Sequence, residues 1–318
     1  MKELRIAVVG AGRMGRLHAQ KVAALRDGGG CVSLAGIADL NGERARAIAS
    51  QLGTRAAADG RELFADADAA IVAVPTVAHF DVVHSALTAG LDVLVEKPIA
   101  ATLRQGEQML ALARSRGRVL QVGHLEWFNA AMRVVQENVR APRFVEAQRM
   151  GPFPERGADV DVVRDLMIHD IDILQQLLGE EPTRIEAVGV PVLSDSTDVA
   201  NARIEFPSGC IANLTASRVA ASPVRRVRFF QPDSCVSIDF LAPSATIFRR
   251  TGEEGGARIV ESEELKLDPE DALLSQLRAF LDAVSAGGPA AASGDGALGA
   301  LRTALRVVEA MPPVVDRR

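Results

Sequence analysis

The chain has 318 residues, with 36 Lys and Arg against 41 Asp and Glu and a formal net charge of −5, so it offers no positive field to hold a polyanion, and nucleic acid is not an expected partner. With 48% hydrophobic and 24% charged residues it has a globular composition, and at this length it should form two domains that need no disulfide or metal staple. The cysteines Cys31, Cys210 and Cys235 are odd in number and lack any C-x-x-C spacing, which points away from a disulfide framework or structural zinc and towards a reduced, cytoplasmic setting. The N-terminus shows no apolar leader region, and the longest apolar run, Ala69 to Pro75, is far short of a bilayer span, so neither export nor a membrane span is expected.

In chain order, the first 124 residues alternate short apolar runs with helical periodicity. Strands are predicted at Arg5–Val9, Val32–Ala38, Ala69–Val74, Asp92–Val95 and Val119–Val122, and helices near 13–25, 42–52, 77–89 and 102–115. Strands apolar on both faces are expected in a parallel sheet covered on both sides, which makes residues 1–124 a doubly wound α/β domain. From 125 to 318 the texture changes to α+β. Alternating strands are predicted at Arg143–Met150, Arg184–Val192, Asn201–Phe206, Cys210–Arg218, Arg225–Gln231, Val236–Phe240 and Ala245–Arg249. Their wet and packed faces predict a large, open, mostly antiparallel sheet. Helices are expected at about 161–178, 270–285 and 297–310; Asp268 and Pro269 read as the N-cap and first turn of the second, and Gly287–Gly296 as a connector. An open sheet face suggests a homo-oligomer.

Gly10-Ala11-Gly12-Arg13-Met14-Gly15 follows the first strand and opens the first helix, the context in which G-x-G-x-x-G holds a dinucleotide pyrophosphate on free helical N–H groups. Asp39 ends the second strand, where a carboxylate accepts ribose hydroxyls and repels a 2′-phosphate, favouring NAD over NADP; it could instead cap the next helix. Arg44 and Arg46 nearby keep NADP open. The sequence contains no tyrosine, which excludes the short-chain dehydrogenases and the aldo-keto reductases, whose catalytic acid is a tyrosine hydroxyl.

Glu96-Lys97-Pro98 leaves the fourth predicted strand at its carboxyl end, where open α/β sheets place ligands, and an X-Pro bond there can be cis. By itself it could be only a turn. Within Asp165-Leu166-Met167-Ile168-His169-Asp170-Ile171-Asp172, a helix would set Asp165, His169 and Asp172 on one face; that face suits proton transfer, or a histidine satisfied by two acids.

In order, the glycine motif, Glu96-Lys97-Pro98 and Asp165-x-x-x-His169-x-x-Asp172 resemble the Gfo/Idh/MocA oxidoreductases over essentially the whole chain. The resemblance implies a Rossmann domain, a second domain with an open sheet, a nicotinamide cofactor and hydride transfer at a sugar or cyclitol alcohol. It implies Lys97 and His169 as the acid/base pair. Cofactor contacts would come from Gly10, Gly12, Arg13, Met14, Gly15, Asp39, Pro75, Thr76, His79, Glu96 and Lys97, although His79 equally fits an exposed helix face. Val122-Gly123-His124-Leu125-Glu126-Trp127-Phe128-Asn129 is similar to bacterial UDP-N-acetylglucosamine 3-dehydrogenases, implying a nucleotide-sugar substrate and a downstream aminotransferase in lipid A biosynthesis. Substrate contacts are then expected from Asp165, Asp172, Trp127, Asn129 and Arg149. Trp127 stands where that group is expected to have arginine, so a phosphate contact is either missing or supplied elsewhere, for example by Arg149 or Arg164. A free sugar, inositol or sugar acid as substrate, or a non-catalytic nicotinamide sensor, are the alternatives.

Overall fold

The computed structural model describes residues 3–153, 160–254, 257–268, 270–288 and 292–313. The chain forms two compact units, Met1–Leu125 with Asp271–Leu298, and Glu126–Glu270 with Gly299–Arg318. They are not the contiguous blocks 1–124 and 125–318 that the sequence suggests, because the chain returns to the first unit after residue 270.

The first unit is built from β1 (Leu4–Val9), α1 (Arg13–Asp27), β2 (Val32–Ala38), α2 (Gly42–Leu52), β3 (Ala56–Ala57), α3 (Arg61–Phe64), β4 (Ala69–Val72), α4 (Thr76–Thr88), β5 (Asp92–Val95), α5 (Leu103–Arg116) and β6 (Leu120–Val122). All pairings are parallel, in the order β3-β2-β1-β4-β5-β6. The order reverses between β1 and β4, the crevice where this architecture takes ligands. Ile6, Ala7, Val8 and all of β4 are fully buried, as helices on both faces require. The returning helix, Ala272–Ala286, completes this core with Leu277, Phe280 and Ala283 against Ile6, Val8 and Leu94; burying Phe280 alone contributes about 2 to 3 kcal/mol. Its N-cap is Asp271, which accepts the Leu274 N–H at 3.0 Å. Asp268, the residue expected there, lies three positions too early, and Pro269 falls outside the described residues.

The second unit contains a 3-10 turn at Leu125–Phe128, whose first residue closes the first unit, then α6 (Ala130–Asn138), β7 (Phe144–Met150), a π-helical turn at Val163–Met167 and α7 (Ile168–Leu178). The strands β8 (Arg184–Val190), β9 (Val199–Glu205), β10 (Ile211–Ser217), β11 (Val224–Phe230), β12 (Ser234–Asp239), β13 (Ser244–Glu254) and β14 (Ala257–Lys266) follow; the returning helix is then α8 and the last, Gly294–Glu309, is α9. The sheet runs β14-β13-β12-β11-β7-β10-β9-β8, antiparallel except where β7 meets β10. One face packs Val145, Ala147, Leu214 and Phe229 with Met132, Met167, Leu174 and Ala304 of the helices. Alternate residues form polar pairs across strands: Asn201 donates to Thr215 at 2.9 Å, and Arg228 pairs with Glu146. Among the described residues no helix is long and apolar enough to cross a membrane.

Candidate functional site

The glycine turn separates what the backbone demands from what a ligand would demand. Gly10 has φ +98°, and a Cβ on it would stand 2.4 Å from the Ala73 carbonyl oxygen; a Cβ on Gly15 would stand 1.7 Å from the Gly10 oxygen. Both glycines are therefore required for the turn to close and for α1 to pack on it. A Cβ on Gly12 would meet nothing within 4 Å, so the fold places no steric demand at the position where bare backbone admits a pyrophosphate. Gly12 is also the N-cap of α1, with no side-chain cap and no acid in the first turn. Its free N–H groups and positive dipole end thus remain for an anion, which fits a dinucleotide. Arg13 is exposed and Met14 half-buried on that first turn.

Asp39 closes this turn from β2. Its carboxylate accepts the Ala11 N–H at 2.7 Å and the Asn41 N–H at 2.8 Å, with Arg44 at 3.8 Å. The cap of α2 is Asn41, which accepts the Arg44 N–H at 3.1 Å, so the capping alternative for Asp39 falls away.

Glu96-Lys97-Pro98 leaves β5 with a cis peptide between Lys97 and Pro98. The Glu96 carboxylate meets Nε2 of His18 at 2.8 Å and is largely covered rather than open to a cofactor. Pro75 is the exposed N-cap of α4, and Thr76 is half-buried. His79 is 1% exposed, on neither an open helix face nor an open pocket wall. Its Nδ1 lies 2.9 Å from the Pro98 carbonyl oxygen and its Nε2 3.0 Å from that of Val74. A neutral ring can donate to only one of the two, and burial pushes its pKa below the usual histidine value. His18 was not marked by any motif. Its signal is one polar residue in the buried stripe Gly15, His18, Ala19, Val22 of α1.

In the second unit the expected single helix is two pieces. Asp161 starts it by accepting the Val163 and Arg164 N–H groups at 3.0 Å each and pairing with the Arg164 guanidinium at 2.6 Å. Asp165 then lies on the π-helical turn and His169 on the first turn of α7, both half-buried. Such turns recur at functional sites, and nothing in the residue pattern announces this one. The buried Arg218 approaches Asp165 to 3.8 Å.

Four residues expected to touch substrate have partners within the unit. Arg149 is 2% exposed; it donates to Glu126 at 2.5 Å and to Asp170 at 2.8 Å. Burial opposes its charge, but the facing Asp170 and Glu126 carboxylates outweigh that and hold its pKa above the ordinary arginine value. The guanidinium is thus committed to two acids. Asp172, 1% exposed, accepts the Trp127 indole N–H at 2.8 Å and the Gln176 amide at 2.7 Å. Trp127 therefore ties the 3-10 turn to α7, and Asn129 caps α6 by accepting the Ala131 N–H at 3.0 Å.

A parallel sheet ordered in this way, with an uncapped glycine turn at its reversal point and an acid at the end of β2, defines a dinucleotide-binding Rossmann protein, and the eight-stranded sheet marks one particular branch. Residues 4–124 match the oxidoreductase family with an NAD-binding Rossmann fold, GFO_IDH_MocA, and residues 130–231 match the GFO/IDH/MocA C-terminal domain. The chain belongs to the Gfo/Idh/MocA oxidoreductase family. It is 38% identical over 319 residues, covering all of both chains, to a UDP-N-acetylglucosamine 3-dehydrogenase of Acidithiobacillus ferrooxidans. A solved structure of that enzyme matches with a TM-score of 0.91 over 98% of each chain. An inositol 2-dehydrogenase of Rhizobium meliloti is 26% identical over 318 residues, covering 95% of this chain and 94% of its own.

Proposed function

We propose that the protein oxidises the 3-hydroxyl of UDP-N-acetylglucosamine to a ketone, with NAD as acceptor. The observation that carries the reading is the end-to-end similarity to a UDP-N-acetylglucosamine 3-dehydrogenase at 38% identity, against 26% for the inositol enzyme. When bound, NAD supplies the acceptor for the hydride that leaves the sugar carbon. The first unit is the cofactor domain: Gly12 and the first N–H groups of α1 hold the pyrophosphate, and Asp39 takes the ribose hydroxyls. The negative charge of Asp39 disfavours a 2′-phosphate and supports NAD over NADP. The second unit is the substrate domain. His169 takes the hydroxyl proton as hydride, the hydrogen with both C–H bonding electrons, leaves the same carbon, and Asp165 orients the sugar by hydrogen bonding. Lys97 donates a hydrogen bond to the oxygen as it becomes a carbonyl.

The outer face of the eight-stranded sheet, carrying Phe248 and the stacked Phe144 and Phe230, supports self-association. A 3-keto nucleotide sugar is a natural substrate for an aminotransferase, which supports a role ahead of such a step, and our reading is of a cytoplasmic enzyme in a route leading to lipid A.

The test is to incubate purified protein with NAD and UDP-N-acetylglucosamine, adding glutamate and a nucleotide-sugar aminotransferase to remove the ketone, and to follow reduced nicotinamide by absorbance. NADH formed with this substrate, but not with free N-acetylglucosamine or inositol, is the expected result. Turnover only with a free polyol would overturn the substrate, and NAD binding without turnover of any alcohol would overturn the catalytic reading.

A further inference from the structure

Two buried histidines and a glycine grip the turn that carries Lys97, and no chemical step above uses them. On the N-terminal side, one oxygen of Glu96 meets Nε2 of the fully buried His18 at 2.8 Å. The other lies against Gly123, just after β6, where a Cβ would stand 2.8 Å from it. Gly123 is itself fixed, donating its N–H to the Val95 carbonyl at 2.7 Å. On the C-terminal side, Nδ1 of His79 reaches the Pro98 carbonyl oxygen at 2.9 Å. These contacts are shielded from water and so hold direction better than surface hydrogen bonds.

A lysine ammonium rides on a flexible four-carbon stem with about 2 kcal/mol of rotamer entropy. The protein controls its position mainly by fixing where the stem begins. Leucine or methionine could fill either histidine's space without desolvating a polar ring, so packing alone does not explain the imidazoles. The geometry points to His18 and His79 as positioning residues for Lys97, acting through Glu96 on one side and the Pro98 carbonyl on the other. This rests on the reading of Lys97 as the donor to the reacting oxygen. It also joins the turn to α1, so the helix that opens at the glycine motif and the turn bearing the lysine are set by one buried contact.

Different nitrogens reach the turn, Nε2 of His18 at Glu96 and Nδ1 of His79 at the Pro98 carbonyl, while Nε2 of His79 faces the Val74 carbonyl at 3.0 Å on the other side of the ring, and this gives the test. An asparagine amide nitrogen falls near the position of Nδ1, and a glutamine amide nitrogen near that of Nε2. His18→Gln and His79→Asn should therefore keep turnover near the parent value. His18→Asn and His79→Gln should lose about 10- to 100-fold in kcat, the scale of a misplaced catalytic group, with KM for NAD little changed. Loss of packing would not produce this crossed pattern. If asparagine and glutamine behave alike at both positions, the proposal is overturned; should one variant fail to fold, the pair at the other position decides. Lys97→Met is measured alongside. If it still turns over, the catalytic reading of Lys97 fails and the positioning role with it, whereas a dead Lys97→Met beside an uncrossed pattern overturns the positioning role alone.

Discussion

The two units express function in different ways. In the first, the features that matter are backbone: Gly10 and Gly15 let the chain turn and pack, and Gly12 leaves it bare. The positive φ of Gly10 and the contact of Gly15 with the Gly10 oxygen arise within six residues, so a motif states them directly, even though the Ala73 carbonyl also presses on Gly10. In the second, a charged residue means whatever the fold brings to it. Arg149 reads as a phosphate contact until Glu126, 23 residues earlier, and Asp170, 21 later, close around it. Backbone motifs translate from sequence to site more faithfully than side-chain charges do.

The largest effects should come from within the glycine motif. Gly15→Ala puts a methyl 1.7 Å from a carbonyl oxygen and should abolish the cooperative thermal transition of the first unit or lower its midpoint severely. Gly12→Ala meets no atom within 4 Å, so its melting temperature should stay near the parent's while NAD affinity, measured by titration calorimetry, falls at least about tenfold, or 1.4 kcal/mol. Unchanged NAD affinity in Gly12→Ala would remove the ligand explanation for that glycine.

A smaller but still large effect should follow at the buried ion cluster. Arg149→Met leaves two buried carboxylates facing each other and should cost about 3 to 5 kcal/mol in urea unfolding. The triple variant with Glu126→Gln and Asp170→Asn should recover part of that loss. If Arg149→Met is as stable as the parent but binds the nucleotide sugar more weakly, the guanidinium is a substrate contact after all, and the contrast between the units narrows.

The fold was legible where chemistry is local. Ala69–Val72 and Asp92–Val95 are strands buried on both faces, so their apolar runs stand out at nearly the right bounds. β14 is an edge strand, Ala-Arg-Ile-Val-Glu-Ser-Glu-Glu-Leu-Lys, whose charges suit an edge and hide a strand signal. α6 is only 9 residues long, and its cap, Asn129, looks the same in sequence as a substrate contact. Two aspartates three residues apart, Asp268 and Asp271, both precede an apolar stripe, and only hydrogen bonding chooses the second. Of the candidate site, Gly12, Asp39 and the Glu96-Lys97-Pro98 turn could be found from strand ends. The engagement of Asp172 by Trp127, or of Glu96 by His18, could not, because each partner comes from a different element.

Asp198 tests whether locality, rather than the unit, is what separates the two cases. It lies in the second unit, fully buried, yet its partners are near in sequence: the N–H groups of Val192, Leu193 and Ser194 at 2.9, 2.6 and 2.8 Å, and the Ser194 hydroxyl at 2.7 Å. Burial alone would raise its pKa, but the Ser194 hydroxyl and the three N–H groups outweigh it and bring the carboxyl down to about 2 from an ordinary 3.8. A carboxylate with a depressed folded pKa stabilises the protein above its unfolded pKa, and that contribution disappears as pH falls through the folded value. Asp198→Asn should therefore cost roughly 2 kcal/mol in urea unfolding at pH 7. The gap between the variant and the parent should begin to shrink below about pH 4 and be nearly closed near pH 2. A gap that stays constant with pH would mean that Asp198 acts through shape rather than charge, and a local cluster in the second unit would then be no more readable than the distant pairing of Arg149.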